Sequence, residues 1–258
     1  MWRSSSKDIK LKQEYSVIQN FEGEGGRVLQ LLGEKGLPDW TEIRQGGLID
    51  DWFIAATISV CRNPERIQKN ILQPMMNTEE VLGFCFNSVG IWAILDVDES
   101  LAFYKRPSLT TDLSHSNTSV SDIKKINLDT LFLGAYSSKN NLWINYFEKA
   151  YAKLNEGYFN ICNNGFAKHS LTDITSAPSR SFDIQADISS QNKLLDLLRY
   201  YQSKKYIMTA KSVDISKALN SYIYEAGGYL KKNPKGKNKF MIEELGLYPS
   251  YEYALFGV

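Results

Sequence analysis

Cysteine and histidine are scarce in this chain: three cysteines, Cys61, Cys85 and Cys162, and two histidines, His115 and His169. The odd cysteine count, the wide spacing and the lack of any C-x-x-C pair point to reduced thiols. They offer neither a disulfide framework nor a structural zinc site. Charge of one sign is missing too. Lys+Arg is 30 and Asp+Glu is 29, leaving +1, so no field draws the chain to nucleic acid or an anionic membrane. Long apolar runs are absent. Trp52–Ala56 and Ile91–Leu95 are far too short to span a bilayer. The first residues, Met1–Gln13, lack the apolar core and cleavage site of a secretory leader. The expectation is a soluble cytoplasmic protein with no transmembrane segment and no nucleic-acid partner.

What is present is apolar and aromatic material for a core. Of 258 residues, 43% are hydrophobic and 12% aromatic, enough for one large domain or two small ones and too much for wholesale disorder. Residues 1–37 read as an irregular lead-in, with some helix around Gly26–Leu32. A helix follows Gln45-Gly46-Gly47, with Asp50 and Asp51 as candidate N-cap side chains and Trp52, Phe53, Ala56 and Val60 as its apolar face. Val81–Phe86 and Gly90–Val97 read as a hairpin, with Cys85 on its core side. Residues 105–129, rich in Ser, Thr and Asp, read as a loop.

Trp143, Tyr146, Phe147, Ala150, Tyr151 and Leu154 recur at helical spacing and predict a helix over Leu142–Asn155. A third helix is predicted over Asn192–Gln202, capped by Ser189 or Ser190, with Leu194, Leu195, Leu197, Leu198 and Tyr201 turned inward. Tyr206–Val213 and Tyr251–Val258 read as strands. Helices come first and strands gather late, which gives an α+β class.

Gln45-Gly46-Gly47-Leu48-Ile49-Asp50-Asp51-Trp52-Phe53 carries the most chemistry. A Gly-rich turn feeding a helix N-terminus places a side chain where the backbone favours negative charge. A cysteine there would be a thiolate nucleophile. A glutamine six residues earlier could donate its amide N–H to a developing oxyanion.

This segment resembles the papain-type core of the calpain family, in which a Gln, a Gly-Asp and the catalytic Cys precede a Trp. Trp40, the block Leu142-Trp143…Glu148-Lys149-Ala150-Tyr151-Ala152-Lys153-Leu154, Gly157-Tyr158, Leu171-Thr172-Asp173-Ile174-Thr175 and Lys211–Ile215 are similar to further segments of that family. The resemblance covers residues 38–258. It implies a papain-like fold with a first helical subdomain over about 38–180 and the start of a β subdomain over about 181–258, a helical first half followed by antiparallel sheet.

The departures bear on function. Asp51 stands in the slot of the nucleophilic Cys. Gly246-Leu247-Tyr248-Pro249-Ser250-Tyr251 best matches the strand of the general-base His, which puts Tyr251 in the His slot. The chain stops before a strand that could carry the family's Asn, so the resemblance implies a core truncated near its end, or a longer polypeptide, with a sheet edge open to a partner strand. Ile49 replaces a Gly before Asp50. Of the catalytic set only Gln45 is retained. A carboxylate is a poor nucleophile toward an amide, and a phenol with an ordinary pKa of about 10 is a poor base at neutral pH.

The expectation is therefore a catalytically dead calpain-like module that binds other proteins, in a multi-subunit cytoskeletal or axonemal (ciliary) assembly. The alternative is a calcium-dependent cysteine endopeptidase working through a rearranged or partner-completed site. Plainer roles stand beside these: capping for Asp50 and Asp51, a hydrogen bond in the turn for Gln45, and surface positions for His115 and His169. The lysine-rich run Lys231–Lys239 is read as a solvated loop, or a contact for acidic surfaces. No cofactor is expected. Calcium is a family trait, and Asp96, Asp98 and Glu99 resemble an acidic stretch of calpains, but no ligand set can be assigned.

Overall fold

The computed structural model describes residues 15–18, 31–32, 36–72, 81–98, 100–104, 133–139, 141–163, 165–184, 191–212, 247–248 and 250–257. Strand β1 (Tyr15–Ile18) pairs antiparallel with β5 (Leu101–Tyr104). A 3-10 turn at Trp40–Glu42 is capped by the Asp39 carboxylate, which accepts from Thr41 N–H at 2.9 Å and Thr41 Oγ1 at 2.7 Å. It leads into β2 (Ile43–Arg44), which pairs with β6 (Tyr136–Ser137). Helix α1 (Asp51–Cys61) follows, then the short α2 (Pro64–Gln68) opened by its proline.

β3 (Val81–Ser88) and β4 (Ile91–Asp98) form the longest hairpin. Helices α3 (Trp143–Leu154), α4 (Tyr158–Ile161), α5 (Ala167–Thr175) and α6 (Gln191–Ser203) come next. β7 (Met208–Lys211) and β8 (Glu252–Leu255) close the order as an antiparallel pair. Helices and two-stranded antiparallel sheets together make the α+β class expected, with strands also lying between the helices.

The core is aromatic and centres on α1 and α3. Phe53 stacks on Tyr151 with ring centroids 4.3 Å apart, and Phe86 of β3 lies 4.8 Å from Phe147 and 5.4 Å from Tyr151. Trp52 Nε1 donates to Ile161 O at 2.9 Å, which leaves the indole satisfied inside the protein. The helical stripe predicted on α3 is buried from Trp143 to Tyr151. α1 differs from its expectation of one apolar face. It packs against α5 and β8 and is buried nearly all round, Ile58 being the least enclosed. A helix apolar on every side belongs in an interior.

Several expectations are corrected. Neither Asp50 nor Asp51 caps α1 with its side chain; Asp50 occupies the N-cap position and its carbonyl accepts from Phe53 N–H at 2.8 Å. Leu194, Leu195, Leu197, Leu198 and Tyr201 of α6 are not buried, and Leu195 is exposed. Cys85 is half-buried, on the strand face opposite the buried Leu82, Phe84 and Phe86. β7 and β8 are shorter than their predicted segments. Leu31 and Leu32 are bends. The rest of the predicted helix at 26–30, the loop at 105–129, the caps at 189–190, His115, Glu99, Val213–Ile215 and Lys231–Lys239 lie outside the described residues.

The β3–β4 turn puts Val89 at φ 52° and Gly90 at φ 86°, a type I′ geometry that suits glycine and strains a β-branched residue. Asn87 Oδ1 accepts from Gly90 N–H at 3.0 Å. Val89 is wholly exposed, so no packing repays the strain. Val89→Asn should therefore raise unfolding stability by about 1 kcal/mol in urea titration. Phe147→Ala, which empties the centre of the aromatic cluster, should lower it by about 3–5 kcal/mol in the same measurement.

Candidate functional site

β2 delivers the chain to the turn at Gln45. The turn lies flat against residues 133–134: Gly47 N–H donates to Leu133 O at 2.7 Å, and a Cβ on Gly46 would sit 2.0 Å from Gly134 O. Only glycine allows that approach. Gln45 then folds over the turn. Its Nε2 donates to Leu48 O at 2.9 Å and lies 3.4 Å from Asp50 Oδ1, while its Oε1 accepts from the Tyr251 hydroxyl. The amide N–H group that could meet an oxyanion is turned into the loop. Ile49 is not crowded in the tight turn; its side chain points to solvent.

Asp51 opens α1 and is nearly buried. Its Oδ2 accepts the backbone N–H of Glu252 at 2.7 Å. Tyr251 is placed by the strand that brings Glu252 there. Ser212, just after β7, donates its N–H to Tyr251 O at 2.9 Å, and its Oγ accepts from Tyr251 N–H at 2.9 Å. Tyr251, 206 positions from Gln45, thus joins Gln45 and Asp51 at one end of α1. Burial pushes the Tyr251 phenol up to about 12, helped by the charges of Asp51, Tyr253 and Asp50. It is a neutral hydroxyl at physiological pH, able to donate and unable to take a proton.

No thiol lies in this constellation among the described residues. Burial pushes the Cys61 thiol up to about 12. It also raises Cys85, and raises Cys162 against the Ile49 N–H, which favours the thiolate. His169 is exposed on α5, its ring against Phe166. Among the described residues no group of three or more His, Cys, Asp and Glu could hold a metal ion. Asp98, considered above for calcium, pairs with Lys149 Nζ at 2.7 Å, and that contact holds its carboxyl down at about 2 despite partial burial. No helix among the described residues is long and apolar enough to cross a membrane.

The residue that sequence reasoning missed is Glu148. Its position beside the apolar stripe, three before Tyr151, is the signal that could have found it. It is fully buried on α3, and both its oxygens accept from Ala135 N–H, at 2.9 and 3.1 Å. It faces Asp50, which is also fully buried. No cationic side chain is ion-paired with either among the described residues. Two such acids cannot both ionise cheaply. Burial raises Asp50 to about 6 against the favourable bond from Glu148. Burial, then the Asp50 charge, raises Glu148 well above the ordinary value. Asp50 Oδ2 has no hydrogen-bond partner among the described residues, and a proton on Glu148 would give the two acids a shared one. Asp51, Tyr158, Cys162 and Tyr251 are the other titratable groups around them.

Both folded values lie above the unfolded ones, so this pair's contribution to stability is complete below about pH 4 and falls away as pH rises, Asp50's share through about 6 and Glu148's through its own raised value. The melting temperature should fall across that window at constant ionic strength. Glu148→Gln, which keeps a donor and removes a charge, should flatten the fall. An unchanged slope in the variant would assign the pH dependence to other groups.

Comparison with known proteins gives a consistent neighbourhood. The family model of calpain family cysteine proteases matches residues 34–258. The calpain-type cysteine protease DEK1 of Zea mays is 25% identical over 179 residues, 67% of this chain and 7% of the relative. ADL1 of Oryza sativa subsp. japonica, also a calpain-type cysteine protease, shows the same identity and coverage. DEK1 of Arabidopsis thaliana is 26% identical over 169 residues, 63% of this chain and 7% of the relative. The chain thus spans 7% of the length of these curated relatives.

Proposed function

The chain belongs to the calpain family of cysteine proteases, and we propose that within it the protein is a pseudoprotease, a protein-binding or structural module without peptidase chemistry. One observation carries this reading: at the helix start where the family resemblance calls for a thiol, the Asp51 carboxylate is nearly buried and bonded to Glu252 N–H. Attack on a peptide carbonyl needs an activated nucleophile, a base to take its proton and donors aimed at the oxyanion. Asp51 is a weak nucleophile whose acyl product, an anhydride, collapses back. Tyr251, in the His slot, keeps its proton. The Gln45 amide is engaged with Leu48 and Tyr251. Loss of a nucleophile or base costs on the order of a million-fold in turnover.

The same contacts support a scaffold reading. Tyr251 and Gln45 close the end of α1 with the protein's own side chains, and the aromatic core around Phe53, Phe147 and Tyr151 folds without any demand from catalysis. Association with other proteins in a larger cytoskeletal or ciliary assembly is part of the proposal, to be checked by cross-linking the native complex and identifying the linked peptides.

Incubation with a quenched fluorescent peptide and calcium should give no turnover, and a thiol-directed epoxide inhibitor should add no mass near the start of α1. Measurable cleavage that disappears in Asp51→Asn would overturn the proposal. Covalent labelling of Cys162, the thiol nearest the turn through Ile49, coupled to loss of cleavage, would favour a rearranged enzyme instead.

A further inference from the structure

β4 has two different halves along its outer edge. The carbonyls of Asp96, Asp98 and Ser100 are capped by ammonium groups from α3: Lys153 Nζ donates to Asp96 O, and Lys149 Nζ donates to Asp98 O at 2.8 Å and Ser100 O at 2.6 Å. These bonds fix which residues point their backbone outward. Asp96 and Asp98 do, so by the two-residue repeat Trp92 and Ile94 do as well. The pairing of Trp92 with Asn87 and Ile94 with Cys85 puts both on that outward-facing set. Among the described residues nothing meets the N–H and C=O of Trp92 and Ile94.

Their side chains share the solvent face of the hairpin, Trp92 50% and Ile94 67% exposed. Unpaired edge groups under exposed apolar side chains form a template for another strand.

We propose that a second copy of this chain docks on this edge, residues 91–95 of the two copies pairing antiparallel about a two-fold axis at Ala93. The free stretch is its own complement. Trp92 of one copy lies opposite Ile94 of the other, and each such pair exchanges two backbone hydrogen bonds, four in all. On the solvent face the two tryptophans and two isoleucines form one patch. Asp96 falls opposite Gly90 of the second copy, so no like charges meet across the axis. The net charge of +1 adds no long-range repulsion. The lysine caps end the pairing at Leu95, and the two-fold uses the same stretch of edge on both copies, so the contact closes as a dimer instead of propagating. Five paired residues per copy bury less than the roughly 1,200 Å² of a standard interface, which makes the dimer weak and concentration-dependent.

Sedimentation velocity of the full chain across the micromolar range should show a reversible monomer–dimer equilibrium, with a blue shift of tryptophan emission as concentration rises. Ile94→Pro removes an outward N–H and leaves the bonds to β3 intact; Trp92→Lys places charge in the patch. Each should weaken association by about tenfold or more while circular dichroism stays unchanged. Val89→Asn, at the hairpin tip and outside the paired stretch, should leave association unaltered. A monomer at every concentration overturns the proposal. So does a dimer indifferent to both Ile94→Pro and Trp92→Lys, since it would use another surface.

Discussion

The bond from Glu252 N–H to the Asp51 carboxylate joins residues 201 positions apart and sets the geometry of everything around it. α1 is buried on nearly every side, so its N-terminus must find its polar partners inside the protein. Asp51 takes one from β8. That contact helps hold β8 against α1, beside its pairing with β7 and the bond from Ala167 N–H to Glu252, and with β8 it places Tyr251, whose hydroxyl reaches Gln45. The turn at Gln45–Asp50 is held from the other side by residues 133–135 and Glu148. The start of α1 is thus clasped between a strand from the far end of the chain and a helix from its middle.

This arrangement explains how a protease-type core can keep its shape without a thiol or an imidazole at these positions. The contacts that hold the site together are hydrogen bonds and aromatic packing, and an acid at residue 51 fits them. Its carboxylate satisfies a backbone donor that a thiol would bond only weakly. The buried acids nearby follow a second logic. Asp50 and Glu148 lie without a cation, and a proton on Glu148 settles their repulsion. The site therefore carries its negative charge inward, toward α3, and presents a neutral phenol outward.

Much of the fold was legible in the residues. The α3 stripe, the α1 start after the glycines and the β3–β4 hairpin around Gly90 follow from local periodicity and turn chemistry, which depend on neighbours a few residues apart. Side-chain capping by Asp50 and Asp51 was a local inference that failed because two tertiary partners, Glu148 and Glu252 N–H, compete for the same oxygens. α6 failed for the complementary reason. Its spacing of leucines marks an apolar face, but spacing carries no information about whether anything lies against that face.

The sequence by itself determined the family, the α+β class and which residues stand at positions 45, 51 and 251. Those are matters of residue identity and short-range order. Only the tertiary structure decided that Tyr251 reaches Gln45 beside Asp51, that the Gln45 amide is spent on the turn and the phenol, that Glu148 faces Asp50, and that the free half of the β4 edge begins where the α3 lysines stop. Each of those depends on elements distant along the chain approaching to within a hydrogen bond, and the free energy of such contacts comes from burial and geometry that no local pattern encodes.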